Sequence, residues 1–544
     1  MNGTQEQQVL TSPGPPTRPA RDQRDARAAR AALAGFAMAM TLSVWLRLRW
    51  TDGAWFSLDD FALLSERTAG DVGDLFRSHG GHWCTLPTLM YRLLWQLFGL
   101  RYLPYQVLAI ALYVCVAGLV RAIMRRASIG PWPATAAASV VVFHGPNAEN
   151  NFMTSAMCFG LVHLMLVDHD GPPDRRDWLG LGAGLAGLMC SGTSVTMTLV
   201  VGLAALLRRG WRIALLHTVP LGSAFLLWLA TAAEVPASVD NAQSAGQVGR
   251  FVWVGLQEAF GRLGQLGPIG VMLGVLLVGG TVLLAAQEGS AFRRRAAASL
   301  SLSAGAVIFL AIVGVRRSGQ AGILADVQNA GPEHARFYAY AVGVMVIPML
   351  AVLADALFRR WRKLGIVALA LFALAVPGYV RQFNSDARAF ASGYTIDRRV
   401  VLATPRLPLA AQLPRPLRVG GFGFGGPTLG WLIDSLPSGA IPSPEPLTAN
   451  DRATLTSRLA IRINPSGSGG PPCLPLLAPT RHVMQPGTSV MVRAGSAAIV
   501  YLPRGGGRSS PKTVRSGEAA VALAGPLPIL ITPRSGAVTP VACL

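Results

Sequence analysis

The chain has 544 residues, 51% of them hydrophobic and 14% charged, and 48 Lys and Arg against 27 Asp and Glu leave a formal charge of +21. A soluble domain carries about 25% charged residues, so this balance points to a membrane protein and excludes a disordered chain, which needs low hydrophobicity. Gly (60) and Pro (38) follow no three-residue period, which excludes a collagen-like repeat. The positive charge is nearly all arginine, Lys363 and Lys512 being the only lysines. It invites a nucleic-acid reading, which the long apolar runs oppose.

Residues 1–30 form a polar tail rich in arginine (Arg18, Arg21, Arg24, Arg27, Arg30), and 31–45 is an apolar run closed by Arg47-Leu48-Arg49-Trp50. A cleavable leader has its apolar run near the start and a small-residue cleavage site, so 31–45 reads as a retained first span. Further runs of spanning length lie at about 103–122, 133–146, 153–167, 213–232, 268–286, 297–315, 338–357 and 364–380. Residues 178–207 are too long for one span and are interrupted by Ser191-Gly192-Thr193-Ser194. They predict two short helices meeting at an outer-face turn, with small residues allowing close packing. The total is about eleven spans. With the N-terminus inside, the clusters Arg121/Arg125/Arg126, Arg208/Arg209/Arg212, Arg293/Arg294/Arg295 and Arg359/Arg360/Arg362/Lys363 all fall inside. That is the arrangement the positive-inside rule requires, and it leaves the C-terminal segment outside. Among the strong juxtamembrane clusters only Arg316-Arg317 falls on the outer side.

The first outer loop, about 52–101, holds Trp55-Phe56-Ser57-Leu58-Asp59-Asp60-Phe61, then His79-Gly80-Gly81-His82-Trp83, then Pro87. A carboxylate here can take a proton from a sugar hydroxyl or hold a metal against a pyrophosphate-like leaving group. The competing role is local: Ser57 as N-cap with Asp60 at N3 would start a helix over 61–68, leaving Asp59 unexplained. His79 and His82 would share one face if helical, as metal ligands need, but Gly80-Gly81 speaks for a turn, and substrate contact or loop packing competes with metal binding. Next outward is His144-Gly145-Pro146-Asn147-Ala148-Glu149-Asn150-Asn151, where Asn147, Glu149 and Asn150 can bond sugar hydroxyls or simply build a turn.

Late in the membrane part stands Gly331-Pro332-Glu333-His334-Ala335-Arg336-Phe337-Tyr338. A guanidinium binds phosphate bidentately, and rings suit the interfacial level of a lipid head group, so Glu333, His334, Arg336 and Tyr338 are candidate contacts. A snorkelling arginine in an aromatic belt is the alternative. Because Arg336 lies where the positive-inside rule disfavours arginine, the functional role is preferred; Arg316 and Arg317 share the argument or anchor a span end. Beyond 381 the chain turns Pro- and Gly-rich, with β-type runs at 497–502 and 528–531 and turns at 466–470 and 505–507. Cys473 and Cys543 are the only cysteines there, either a disulfide or two free thiols. The Gly-rich stretch 420–426 is not flanked by a clear strand–helix unit and reads as a loop.

An acidic pair after the first span, followed by a His-containing stretch and a Pro before the next, resembles the membrane glycosyltransferases of the GT-C superfamily. The residues that carry the likeness are Leu58-Asp59-Asp60-Phe61, His79, His82-Trp83, Leu86-Pro87 and Leu97-Phe98-Gly99-Leu100. The likeness covers roughly 31–380 in topology and only this loop in motif. It implies transfer of a sugar from a polyprenyl-phosphate donor to a glycan or lipid acceptor on the extracytoplasmic face. Asp59 or Asp60 would be the base or hold a divalent metal (Mg or Mn), and His79 and His82 would contact the donor or acceptor. Arg336 resembles an Arg-Tyr element found before a late span and, with Arg316 and Arg317, would stabilise the lipid phosphate.

The expectation is therefore a mainly α, polytopic transmembrane bundle, N-terminus in and C-terminus out, in the plasma (inner) membrane. It comprises a cytoplasmic tail (1–30), a transmembrane domain (31–380) and a small β-rich extracytoplasmic domain (381–544). No nucleic-acid partner is expected. The rival classes are a transporter or flippase of lipid-linked or envelope precursors, and a non-catalytic envelope-assembly protein. Few charged residues within the spans and no visible pseudo-repeat disfavour the transporter.

Overall fold

A computed structural model describes residues 18–50, 54–56, 58–67, 70–143, 151–232, 244–317, 331–361, 363, 375, 377–385, 388, 395, 397–420, 426–464, 473–504, 506–534 and 539–543. At 18–25, 50, 58, 151, 331–334 and 474 it describes the backbone alone. The chain opens on α1 (Arg18–Trp50). A short segment follows with α2 (Leu58–Ser65), α3 (Val72–Phe76), strands β1 (Ser78–His79) and β2 (His82–Trp83), and α4 (Thr85–Phe98). Then come α5 (Leu103–Arg126), α6 (Pro131–Phe143), α7 (Asn151–Val167), α8 (Arg175–Leu188), α9 (Thr193–Arg208) and α10 (Trp211–Thr231). The helical part closes with α11 (Ala245–Gly264), α12 (Gly267–Glu288), α13 (Ser290–Arg295), α14 (Ala297–Arg317), a 3-10 stretch Gly331–Tyr338 and α15 (Ala339–Arg360).

Among the described residues six helices are long and apolar enough to cross a membrane: α1, α5, α10, α12, α14 and the one ending in α15. Helices α6, α7 and α9 are apolar but shorter. The spans expected at 133–146 and 153–167 thus become short helices, while 178–207 divides into α8 and α9 as its interruption predicts. Most of the run at 364–380 lies outside the described residues. Helix α11 is an addition to the expected set, because Arg250, Glu258 and Arg262 dilute its apolar character.

Small residues let the helices approach. A Cβ on Gly160 would fall 2.6 Å from Met197, one on Gly305 2.2 Å from Val200, and one on Gly255 2.6 Å from Leu310. In the absence of a hydrophobic drive between helices inside lipid, such close backbone contact is what holds a bundle. Helix α15 is the most enclosed, with 67% of its most apolar window buried, and α12 the least, with 6%, which puts α12 at the periphery.

The C-terminal region begins with helices, including Leu429–Ser435 and Ala449–Ala460, the latter started by a Thr448/Asp451 capping box. Among the described residues the strands, preceded by helices, begin at Ile461 and give the expected β-sheet C-terminal region. They are β3 (Ile461–Asn464), β4 (Cys473–Pro475), β5 (Thr480–Met484), β6 (Ser489–Ala494), β7 (Ser496–Tyr501), β8 (Lys512–Arg515), β9 (Ala519–Ala522), β10 (Leu527–Pro533) and β11 (Val541–Cys543). They form two antiparallel sheets, β5-β10-β7-β8 and β3-β9-β6-β11-β4. The two β-type runs read from sequence are β7 and β10, paired with each other. Cys473 and Cys543 face each other across β4 and β11 and are joined by a disulfide. The turn expected at 466–470 lies outside the described residues, as does Gly505; Gly506 and Gly507 have φ of +83° and +88°.

One apolar cluster joins this region to the first loop. Trp55, Phe56, Phe61, Leu63, Leu64, Tyr91 and Tyr105 share a core with Val401, Leu429, Leu459, Ile499 and Ile529. The Leu100 N–H donates to the Ala440 carbonyl at 2.8 Å, Trp95 packs on Trp431 at 4.7 Å, and Arg418 pairs with Glu66. The first loop is therefore a folded platform between the bundle and the C-terminal region.

Candidate functional site

Asp59 and Asp60 lie in the first turn of α2, where acidic side chains favour the positive end of the helix dipole. The helix starts earlier than the expected 61–68, and the Ser57 cap lies outside the described residues. Consecutive helical residues are separated by about 100°, so the two carboxylates part company. Asp60 turns inward, 7% exposed, and accepts a hydrogen bond from the Tyr91 hydroxyl at 2.5 Å. Asp59 turns outward, with 67% of its side chain exposed. Its Oδ1 is 3.3 Å from His79 Nε2, and that hydrogen bond, the largest influence, holds its carboxyl below the usual carboxylate range.

His79 and His82 close a two-residue hairpin. Gly80 and Gly81 both have positive φ, +55° and +82°, which a tight β-hairpin turn requires. This settles the helix-or-turn question in favour of the turn. Arg67 fastens the hairpin: 3% exposed, it donates to the carbonyls of Asp74 (3.3 Å), Arg77 (2.8 Å) and Ser78 (2.9 Å).

The other face of the hairpin meets the α8–α9 turn. His82 Nδ1 accepts from the Gly192 N–H at 3.2 Å, Leu86 N–H donates to the Met189 carbonyl at 3.1 Å, and the Cys84 thiol lies 3.6 Å from the Cys190 carbonyl. A Cβ on Gly192 would sit 2.8 Å from His82 Nδ1, so this approach needs glycine. Burial, and after it the charges of Arg317, His79 and Arg316, lower the His82 pKa to about 4. A neutral ring whose Nδ1 accepts carries its proton on Nε2, so His82 is a fixed hydrogen-bond donor. Burial pushes the Cys84 and Cys190 thiols up to about 12, which marks them as packing residues.

Arg316 and Arg317 end α14 beside this hairpin. A Cβ on Gly81 would fall 2.9 Å from Arg316 Nη1, and the charge of Arg317 acts on Asp59, His82 and Tyr338. Tyr338 caps α15 and packs edge-on against Phe309 with ring centroids 5.5 Å apart. Arg336 is directed elsewhere: its Nε is 4.0 Å from Glu258 Oε2 on α11, and no ion pair joins it to Asp59 or Asp60. The fold thus gathers Asp59, His79, His82, Arg316 and Arg317 and turns Asp60 away. Asn147, Glu149 and Asn150 lie outside the described residues, as do the side chains of Glu333 and His334.

Four residues carry no motif. Gly192 matters only because its N–H reaches a residue 110 positions earlier. Arg67 and Tyr91 look like ordinary loop and helix residues until their partners are known. Arg47, which in sequence looks like a flank of the first span, is 3% exposed, donates to the Val142 carbonyl at 2.7 Å and lies 4.3 Å from the Tyr113 ring centroid.

The site presents, among the described residues, no ligand set for a divalent metal. Among the described residues no further His, Cys or carboxylate joins Asp59 and His79, His82 Nδ1 is already an acceptor, and two guanidiniums stand close by. A group of the right types, His169, Asp174 and Asp177, lies at the opposite end of the bundle. There both Asp177 oxygens already accept from Arg209, at 2.5 and 3.2 Å, and also from His217 and the Asp174 N–H, so it is a closed ion-pair hub. No protein-family model matches the chain, and no curated protein matches it in sequence.

Proposed function

We propose that this protein is a polytopic membrane glycosyltransferase that moves a sugar from a polyprenyl-phosphate donor to an envelope glycan or lipid at the exposed Asp59. The observation that carries the reading is the meeting of an exposed carboxylate, a neutral imidazole donor and two guanidiniums at one end of an apolar helical bundle. The acceptor hydroxyl oxygen bonds to the anomeric carbon as the carbon–oxygen bond to phosphate breaks. Its proton passes to Asp59, and the phosphate leaves with the bonding pair. Arg316 and Arg317 balance the charge that develops on the leaving phosphate, and the Nε2–H of His82 donates to a donor or acceptor oxygen. Asp60, bonded to Tyr91, holds α2 in position, and Arg336 serves the lipid head group from beside Glu258. About eleven spans with the N-terminus in and the C-terminus out, in the plasma membrane, would set Asp59 on the extracytoplasmic side.

The test uses membranes containing Asp59→Asn, Asp60→Asn and the double variant Arg316→Ala/Arg317→Ala, supplied with labelled polyprenyl-phosphate-linked sugar. Asp59→Asn is expected to lose transfer while remaining folded; wild-type transfer by that variant sinks the mechanism. The transporter reading draws on one observation, a buried chain in which Asp177 accepts from His217 and His217 meets His163, both steps 3.0 Å. The chain stops at His163 against Gly180 and Gly184 of α8, which suits a clamp between helices better than a path across them.

A further inference from the structure

The two sheets of the C-terminal region carry charge of nearly one sign. From Ile461 to the end of the chain stand seven arginines and Lys512 against a single acidic side chain, Glu518. The helices before them balance their charges: Arg399 pairs with Glu445, Arg415 with Asp434 and Arg418 with Glu66. Side chains alternate between the two faces of a strand, so the pairing register shows which face each one takes. In the sheet β5-β10-β7-β8, Met484, Ile529, Ile499 and Val514 point into the core. Arg481 lies opposite Leu530 and therefore takes the outer face. Arg515 lies opposite Ser496, and the Arg534 N–H donates to the Ser496 carbonyl at 3.1 Å. Arg515 and Arg534 thus flank β7 on that same outer face. All three arginines are exposed, and among the described residues none of them forms an ion pair. Half-buried Leu530 and Val500, opposite each other on β10 and β7, complete the row that Arg481 begins. Glu518 is occupied in the β8–β9 turn, where it accepts from the Arg515 backbone N–H at 2.8 Å.

A face that serves solubility alone mixes both signs, because like charges gathered together repel. Guanidiniums left without internal carboxylates keep their capacity for bidentate bonding to an outside one. Strands stand about 4.8 Å apart and rise about 3.4 Å per residue, which puts the Arg515 and Arg534 backbones about 10 Å apart and Arg481 about 14 Å from Arg534. Anionic groups repeated along an extended molecule match that spacing, and one small anion does not. Sugar rings add C–H faces that suit the apolar surface of Leu530 and Val500. We propose that the outer face of this sheet binds an acidic polysaccharide, a glycan with carboxylates repeated along its length. The choice of a glycan over an acidic protein rests on the transferase reading above, in which an envelope glycan is the acceptor, but the positive face itself does not.

The experiment measures binding of fluorescently labelled oligogalacturonate to the full chain in uncharged detergent micelles, read as fluorescence anisotropy. Saturable binding that weakens as salt rises is expected, and free galacturonate at the same uronate concentration should not compete. Arg481→Gln/Arg515→Gln is expected to weaken binding about tenfold with an unchanged unfolding temperature. Arg462→Gln/Arg493→Gln removes the same charge from the outer face of the other sheet, where Arg462 lies opposite Val521, and should weaken binding less than about twofold. Arg534→Gln alone, expected to be about threefold weaker, reads the proposed face should the first double variant not fold. Polyglutamate of matching charge should bind more weakly than the glycan. In Asp59→Asn the affinity should stay as in the wild type, so failure of sugar transfer and failure of glycan binding are read apart. No saturable binding, or equal weakening by the two double variants, overturns the proposal. Polyglutamate binding as tightly as the glycan overturns the choice of a polysaccharide.

Discussion

The two ends of the helical bundle use charge in opposite ways. At the end that carries Asp177, the charged groups engage one another. Arg209 and His217 hold the Asp177 carboxylate, and Arg208 reaches Asp168 at 2.8 Å and Asp170 at 3.1 Å. Arg359 and Arg126 close on the Ser128 and Met165 carbonyls. At the end that carries Asp59, the carboxylate faces solvent, its neighbour His82 is kept neutral, and Arg316 forms no ion pair among the described residues. Internal pairing satisfies a charge and leaves it structural, whereas a charge that faces solvent can keep its field for a ligand. Arginine clusters at both ends look alike in sequence, and only their partners tell a clamp from a site.

Four measurements would break or sharpen that contrast. The largest effect is expected at the open end: Asp59→Asn lowers sugar transfer about 10³-fold, the scale of losing a positioned general base, with an unchanged unfolding temperature. A loss of stability in place of activity would make the two ends equivalent. At the closed end Arg209→Met leaves a buried carboxylate without its cation and should cost about 3–5 kcal/mol, read as a lowered unfolding midpoint in purified protein. Transfer per folded molecule should stay as in the wild type, and a specific activity loss would contradict the clamp role.

The third measurement is the pH dependence of stability. The His82 pKa is lowered from 6.5 to about 4, so between those values the unfolded chain binds a proton that the folded chain refuses. Stability then falls as pH falls through that window, by up to about 3 kcal/mol. His82→Asn keeps an acceptor for the Gly192 N–H but cannot titrate, and should flatten this part of the curve; an unchanged curve assigns the effect elsewhere. Asp59, whose pKa is lowered by His79, has the same sense in a lower window: its contribution is full above the ordinary carboxylate range and is lost only below it. The smallest effect is expected from Gly192→Ala, whose Cβ would lie 2.8 Å from His82 Nδ1. Displacing that ring should lower transfer about tenfold with little change in unfolding temperature.

Several local features were legible because local physics decides them. Gly80-Gly81 predicts a turn, as two consecutive residues free to take positive φ do, and the Ser-Gly-Thr-Ser interruption separates α8 from α9. The β7 and β10 runs show in their β-branched and aromatic composition. The extent of the C-terminal strands was not legible, since a proline-rich composition does not separate turns from the helices that precede Ile461. The disulfide was open in sequence because pairing depends on the β4–β11 register, which brings Cys473 opposite Cys543. The candidate site was legible only as a set of residue types. Asp59 and Asp60 are equivalent in sequence, and the rotation of α2 against Tyr91 is what separates them.

What the sequence determined by itself is what composition and short-range spacing control. An apolar, arginine-rich chain with spanning-length runs must bury its backbone polar groups in helices, and acidic and histidine residues cluster between the first two of those runs. What only the tertiary structure decided is which of these groups meet. Arg316 comes to Gly81, Gly192 to His82, and the C-terminal region to the loop that bears Asp59. Those contacts join positions more than a hundred residues apart. They are fixed by how helices and sheets pack, and no local periodicity records that packing.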